Sequence, residues 1–201
     1  MSTKNLLILF TRNPELGKVK SRLAKDIGEE KALKIYIELL LHTKKISENI
    51  PVSKWVFYSE EIPKNDIWTA ANFQKKIQQG TDLGFRMKAA FQEGFANGFE
   101  KIIVIGSDIY DLQQQHIEQA FEKLNDYTSV LGPSEDGGYY LLGLKSMIPE
   151  VFENKNWGTE TVLSATSKDL KNNGSLYYLE ELNDIDVISD IKSDSWLNNL
   201  L

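Results

Sequence analysis

Two stretches of this 201-residue chain gather the residues that could do chemistry. Residues 101–112 read K-I-I-V-I-G-S-D-I-Y-D-L, and residues 131–144 read L-G-P-S-E-D-G-G-Y-Y-L-L-G-L. The first is an apolar run that stops at Gly106 and is followed at once by carboxylates, Asp108 and Asp111. A buried strand ending in acids puts negative charge at the mouth of a sheet, where α/β proteins bind ligands. Such charge is costly unless something cationic sits with it. A divalent metal that also holds a phosphate is the usual answer, and magnesium needs few protein ligands because it keeps waters and substrate oxygens. Asp108, just past the strand end, is therefore read as a metal ligand, and Asp111 as a cap of the next helix.

In the second stretch, Gly137 and Gly138 let a ligand approach the backbone. Asp136 can accept hydrogen bonds from sugar or acceptor hydroxyls. The same D-G pair is a turn signal by itself, and turn and site are compatible. A third segment, L-N-D-I-D-V-I-S-D over residues 182–190, clusters three acids. Asp186 could reach the metal that Asp108 holds, while Asp190 suits the start of a helix.

The fourth segment is cationic. Residues 10–23, F-T-R-N-P-E-L-G-K-V-K-S-R-L, carry Arg12, Lys18, Lys20 and Arg22, with Lys25 close behind. Gly17 permits close backbone approach, and Lys18, Lys20 and Arg22 can give charge-assisted hydrogen bonds to phosphate oxygens. The loop is neither a P-loop nor a G-x-G-x-x-G fingerprint, and a solvated basic helix start is the competing account. The chain as a whole has a net charge of −6, which argues against a general nucleic-acid binder. A cationic loop in an acidic protein suits a small polyanion such as a nucleotide phosphate.

Composition narrows the rest. With no cysteine, disulfides, thiolate zinc sites and cysteine nucleophiles are excluded. Two histidines, His42 and His116, are too few for an all-histidine metal site, and no Ser-His-Asp spacing is visible. No apolar run is long enough to span a bilayer, and no signal peptide is recognisable, so a cytoplasmic location is expected. The length suits one domain, residues 1–201, and leaves the oligomeric state open.

These residues need elements to position them. Strands are predicted at 5–11, 54–59, 73–78, 101–105, 129–131, 139–143 and 176–179. Helices are predicted at 29–49, 83–96 (capped by Thr81 or Asp82), 113–124, 159–172 and 189–200, with a short one at 63–72. Strands and helices alternate through the first 130 residues, then strands crowd together. A three-layer α/β/α sandwich around a mostly parallel, mixed sheet is expected.

In order along the chain, the motifs resemble the nucleotide-diphospho-sugar transferase superfamily, with its GT-A-type fold. They are more closely similar to a bacterial glycosyltransferase-like "transferase 1" family associated with radical-SAM and selenodomain proteins, itself related to molybdenum-cofactor and 2-phospholactate guanylyltransferases. The resemblance rests on residues 10–23, Q-G-T-D-L-G-F-R-M at 79–87, G-S-D-I-Y-D-L at 106–112, residues 131–144, W-G-T at 157–159 and D-I-D-V-I-S-D at 184–190. The departures are Ser21 for Thr, Tyr110 for Pro, Gly158 for Ser and Val187 for Thr.

The resemblance implies a nucleotide held by Arg12, Gly17, Lys18, Lys20 and Arg22, by Gly80, Asp82 and Arg86, and by Ser107. It implies Mg2+ or Mn2+ on Asp108 and Asp186, and an acceptor against Asp136, Gly137, Gly138 and Tyr139. Asp108 and Asp136 would be the catalytic pair, with Asp136 orienting or deprotonating an acceptor hydroxyl. The expected function is metal-dependent sugar transfer from a nucleotide-sugar to a small acceptor. The alternative is nucleotidyl transfer with loss of pyrophosphate, which the dense cations of the first loop suit; non-catalytic nucleotide binding ranks below both.

Overall fold

The computed structural model describes residues 4–193 and 195–201. Its strands are β1 (Asn5–Thr11), β2 (Ser53–Tyr58), β3 (Gln74–Ile77), β4 (Lys101–Ile105), β5 (Ser129–Pro133), β6 (Tyr139–Leu144) and β7 (Leu176–Tyr178). They form one sheet in the order β3-β2-β1-β4-β6-β5-β7. Strands β1 to β4 pair in parallel, and β5 pairs in parallel with β7. Only β6, among the described strands, runs against its neighbours β4 and β5. The expected mixed, mostly parallel sheet is present.

The helices are α1 (Ser21–Ile27), α2 (Glu29–Ser47), α3 (Leu83–Ala96), α4 (Gln114–Lys123) and α5 (Val162–Asn172). Period-two alternation in the strands decides which helix covers which face. Leu7 and Leu9 of β1 pack with Tyr36 and Leu40 of α2 and Ile117 and Phe121 of α4. Leu6 and Ile8, one residue out of phase, pack with Met87 and Phe91 of α3 and Leu170 of α5. Because both faces are covered, β1 is apolar throughout. Each fully buried leucine or isoleucine there contributes about 1.5–3 kcal/mol.

A smaller apolar cluster joins Leu23 of α1 and Ile35 and Leu39 of α2 to Ile185, Ile191 and Leu197. It pins the C-terminal segment across the top of α1 and α2. The backbone N–H of Ile185 donates to the carbonyl of Asp108 at 3.2 Å, so residues 184–186 lie beside the end of β4.

Several sequence expectations need correction. Residues 63–72 hold turns and no helix. The segment is organised by one anchor, Trp68, buried against Phe73, and by Asp66, whose carboxylate takes the N–H of Trp68 and the ammonium of Lys75. The helix expected at 189–200 is two short 3-10 turns, Ile188–Asp190 and Trp196–Leu200; residue 194 lies outside the described residues. Asp190 there turns its carboxylate onto the N–H groups of Asp186 and Val187 and so closes a tight loop. Helix α1 begins at Ser21, within the cationic segment, as the competing account of a basic helix start has it. Asp111 does not cap α4, whose N-cap is Gln113; it is ion-paired with Lys192. Asp82 does cap α3, accepting from the N–H of Phe85 at 3.0 Å.

Candidate functional site

The strand order reverses between β1 and β4: β2 and β3 lie to one side, β6, β5 and β7 to the other. Where the chain departs in opposite directions from two adjacent parallel strands, their carboxyl ends leave a crevice. A cleft of about 730 Å³ lies there. Of the residues singled out in the sequence, Arg12, Lys18, Asp82, Arg86, Ser107, Asp108, Asp136, Gly138 and Tyr139 line it. Gly17, Lys20, Arg22, Gly80, Gly137 and Asp186 are not part of its wall.

The end of the cleft over β1, β2 and β3 is a frame of hydrogen bonds. The Tyr36 hydroxyl accepts the N–H of Arg12 at 2.9 Å and lies within 3.3 Å of the hydroxyls of Thr11 and Ser107. Burial, and then the charge of Asp108, push this phenol up to about 12, so it stays a neutral strut. Asn13 is buried and ties the first loop to the end of β2, donating to the carbonyl of Glu61 at 2.9 Å and accepting from the N–H of Glu60 at 3.2 Å. Gln78 donates to the carbonyls of Thr11 and Phe57, both at 3.1 Å, and so closes the ends of β1 and β2 together. Its own oxygen accepts from Arg86 Nη1 at 3.3 Å, while Arg86 Nε donates to the carbonyl of Gly80 at 3.2 Å. Gly80 thus acts behind the arginine. Arg86 is held from two sides, as a preorganised phosphate clamp requires.

The cations of residues 18–22 fan out from one another. Lys18 pairs with Glu15 at 2.8 Å and Glu60 at 3.3 Å. Arg22 pairs with Asp186 at 2.7 Å. Lys20, in the left-handed region at φ 49, turns inward, and its ammonium meets Asp108 Oδ2 at 2.8 Å. The Lys20 side chain is 4% exposed and that of Asp108 44% exposed, so the acid keeps one face toward the cleft. Gly17 faces Glu29: a Cβ there would meet its carboxylate at 3.3 Å.

The other end lies over β6 and the start of α5. Asp136 Oδ1 accepts from the Ser134 hydroxyl at 2.6 Å and from the N–H of Gly138 at 2.8 Å, which closes the turn between β5 and β6. Gly137 (φ 83) is needed for that turn, since a Cβ would come within 2.5 Å of the Glu160 carbonyl oxygen. Tyr139 lines the wall, and its hydroxyl donates to the Met87 sulfur at 3.8 Å. Trp157, Met87 and Val162 complete an apolar side. Trp157 reaches its place because Gly84 leaves room; a Cβ there would lie 2.6 Å from the indole nitrogen.

Asp184 also lines the cleft. Burial first, then the negative charges of Asp136 and Asp186, push its carboxyl up to about 6 against the pull of Lys20. Carboxylates gathered in this way make a donor set suited to a hard cation. Among the described residues no three acid or histidine side chains gather into a cage. The set fits an ion that takes one or two protein carboxylates and fills its remaining positions with substrate phosphates and water.

Tyr36, Asn13, Gln78, Trp157 and Asp184 escaped the sequence reading as site residues. Asp184 and Trp157 stood inside quoted motifs, and Gln78 stood one residue before one. Asn13 likewise stood inside the quoted motif of residues 10–23, and Tyr36 gave no signal beyond fitting a helical stripe.

Residues 42–159 match the model of a family described as an uncharacterized protein conserved in bacteria, DUF2064. That stretch includes Gln78, Arg86, Asp108, Asp136 and Trp157, and stops short of Asp184. A 2-phospho-L-lactate guanylyltransferase of Methanocaldococcus vulcanius is 28% identical over 145 residues, 70% of this chain and 62% of the relative. The protein of the same name from Methanocaldococcus sp. FS406-22 is 28% identical over 134 residues, 65% of this chain and 56% of the relative. The chain thus spans about three fifths of the length of these curated relatives. A solved structure from Desulfovibrio desulfuricans G20, assigned by name to the nucleotide-diphospho-sugar transferases, superposes with TM-score 0.86 at 27% identity, over 98% of this chain and 94% of that one. The 4-diphosphocytidyl-2C-methyl-D-erythritol synthase of Anaerococcus prevotii superposes with TM-score 0.55 at 9% identity, over 94% and 92%, a likeness of fold alone. Built on the fold of the nucleotide-diphospho-sugar transferases and matched over more than half its length, the chain belongs to the bacterial DUF2064 family.

Proposed function

We propose that this protein is a nucleotide-dependent transferase, glycosyltransferase-like, that moves a sugar from a nucleotide-sugar to a small acceptor. One observation carries the reading: a cationic, hydrogen-bond-framed end and a carboxylate-aromatic end meet at Asp108 in a single cleft. Arg12 and Arg86 would hold the donor's phosphates, with Lys18 available once it exchanges a carboxylate for phosphate. Ser107, held beside Tyr36, would contribute a hydroxyl at the phosphate.

Asp108, with Asp184 or Asp186 from the adjoining segment, would hold Mg2+ or Mn2+. When bound, the ion supplies Lewis-acid neutralisation of charge on the leaving phosphate. Lys20, whose ammonium lies 2.8 Å from Asp108 Oδ2, orients that carboxylate. Asp136, fixed by Ser134 and Gly138, accepts a hydrogen bond from the attacking hydroxyl and orients it. Among the described residues no helix is long and apolar enough to cross a membrane, and the reading places the protein in the cytoplasm.

A second reading, nucleotidyl transfer with release of pyrophosphate, draws support from the guanylyltransferase name of both archaeal relatives. The fold accommodates either reaction. Thermal shifts with nucleoside triphosphates and nucleotide-sugars, with and without Mg2+ or Mn2+, identify the donor through mass-action stabilisation. Product analysis then separates the readings: a nucleoside diphosphate supports sugar transfer and pyrophosphate supports nucleotidyl transfer. No metal-dependent shift with any nucleotide sinks both.

A further inference from the structure

We infer that the acceptor is a neutral or amino-bearing polyol, such as a sugar, and that acceptors carrying a carboxylate or phosphate at their far end are rejected. This rests on the transferase reading above and adds the chemical class of its second substrate.

The basis is how charge is sorted along the cleft. Its lining cations, Arg12, Lys18 and Arg86, stand at the β1–β2–β3 end, where Arg86 is anchored on Gln78 and Gly80 and Lys18 on Glu15 and Glu60. Over β6 and α5, no lysine, arginine or histidine lines the wall among the described residues. The nearest inward cation, Lys20, is buried and already bound to Asp108 at 2.8 Å. In place of cations this end presents the carboxylates of Asp136 and Asp184 and the hydroxyls of Ser134 and Thr159.

Beyond the metal position at Asp108, a carboxylate or phosphate at the acceptor's far end would face Asp136 with no lysine, arginine or histidine on the wall to pair it, which disfavours it in a partly enclosed site. Acceptor-rich groups beside the apolar side of Trp157, Met87 and Val162 instead match a molecule with hydroxyl or ammonium donors on one face and C–H groups on the other. The acceptor named for the archaeal relatives, 2-phospho-L-lactate, carries both a phosphate and a carboxylate and does not fit this description.

The experiment has two arms on the full chain. Metal-dependent thermal shifts with nucleotides first fix the donor; without them the parent reading fails, whatever the acceptor. With that donor and metal present, product formation is then followed by mass spectrometry with neutral hexoses and polyols, amino sugars, and 2-phosphoglycerate and 3-phosphoglycerate, which each keep a free hydroxyl, as anionic probes. Turnover at least tenfold faster with neutral or amino acceptors is expected. In Thr159→Lys, which adds a cation at this end, the preference should fall by at least threefold. Comparable turnover with either anionic probe in the wild type, or no product with any neutral or amino acceptor while nucleotide binding is intact, overturns the inference.

Discussion

The ammonium of Lys20, almost wholly buried, lies 2.8 Å from a carboxylate oxygen of Asp108 that is itself open to the cleft. The pair is asymmetric: removing the acid strands a buried cation, whereas removing the lysine leaves an acid that water can reach. Asp108→Asn should therefore cost about 2–3 kcal/mol, somewhat below the roughly 3–5 kcal/mol for breaking a fully buried ion pair because the acid is half exposed. Lys20→Met should cost less, and the double variant should recover most of the Asp108→Asn loss. Urea unfolding of the four proteins forms a cycle that measures the coupling. Turnover should vanish in Asp108→Asn irrespective of stability; normal metal-dependent turnover would remove Asp108 from the mechanism.

Asp184 makes stability depend on pH. Its folded value, about 6, lies above the ordinary 3.8. Its favourable contribution is thus complete below pH 4 and lost as pH rises through 6. In the absence of added metal, Asp184→Asn should flatten the stability profile between pH 4 and 6 and be more stable than the wild type at pH 8. The gain should be about 1 kcal/mol, reduced by solvent screening of this partly exposed group. Thermal unfolding across pH checks this; parallel profiles for the two proteins would show that the acid is not strained.

Gln78 joins the ends of β1 and β2 and steadies Arg86. Gln78→Ala should cost about 1–2 kcal/mol in stability, the price of two carbonyls losing a donor. Nucleotide affinity should fall about tenfold as Arg86 loses one support. Arg86→Lys should weaken binding by a similar factor, since an ammonium cannot reproduce the fork. Calorimetric titration with the donor nucleotide decides; unchanged affinity in both variants would place Arg86 outside the phosphate site.

Gly84 sits within α3, where alanine would ordinarily favour the helix by about 1 kcal/mol. Here a Cβ would lie 2.4 Å from the Phe152 carbonyl oxygen and 2.6 Å from the Trp157 indole nitrogen. The clash should dominate, so Gly84→Ala should destabilise by about 1–3 kcal/mol. By displacing Trp157 it should impair acceptor-dependent turnover more than donor binding. A larger loss in donor affinity than in turnover would contradict the division of the cleft into two ends.

Much of the fold was legible in the sequence because its signals are local. The apolar runs of β1 and β4, the helical stripes of α2 and α3, and the Asp82 cap depend on residues within a few positions of one another. The misread segments are those whose order comes from elsewhere. Residues 63–72 are organised by Trp68 in a distant core, and Ile191 and Leu197 by packing against α1 and α2, so the helices expected there do not form.

For the site, the sequence by itself determined the inventory: a strand-end acid, a cationic loop, a D-G-G turn, a late acidic segment, and no cysteine. Only the tertiary structure decided which members face the ligand. Lys20 and Arg22, two positions apart, diverge because one begins α1 in a left-handed conformation that turns it inward, while the other lies on the exposed side of the helix. Asp184 lines the cleft and Asp186 does not, although they too are two positions apart, because the intervening Ile185 is buried and its N–H is fixed on the Asp108 carbonyl. Spacing limits where a side chain can be; the direction it takes depends on packing and hydrogen bonds made by residues far away in the chain.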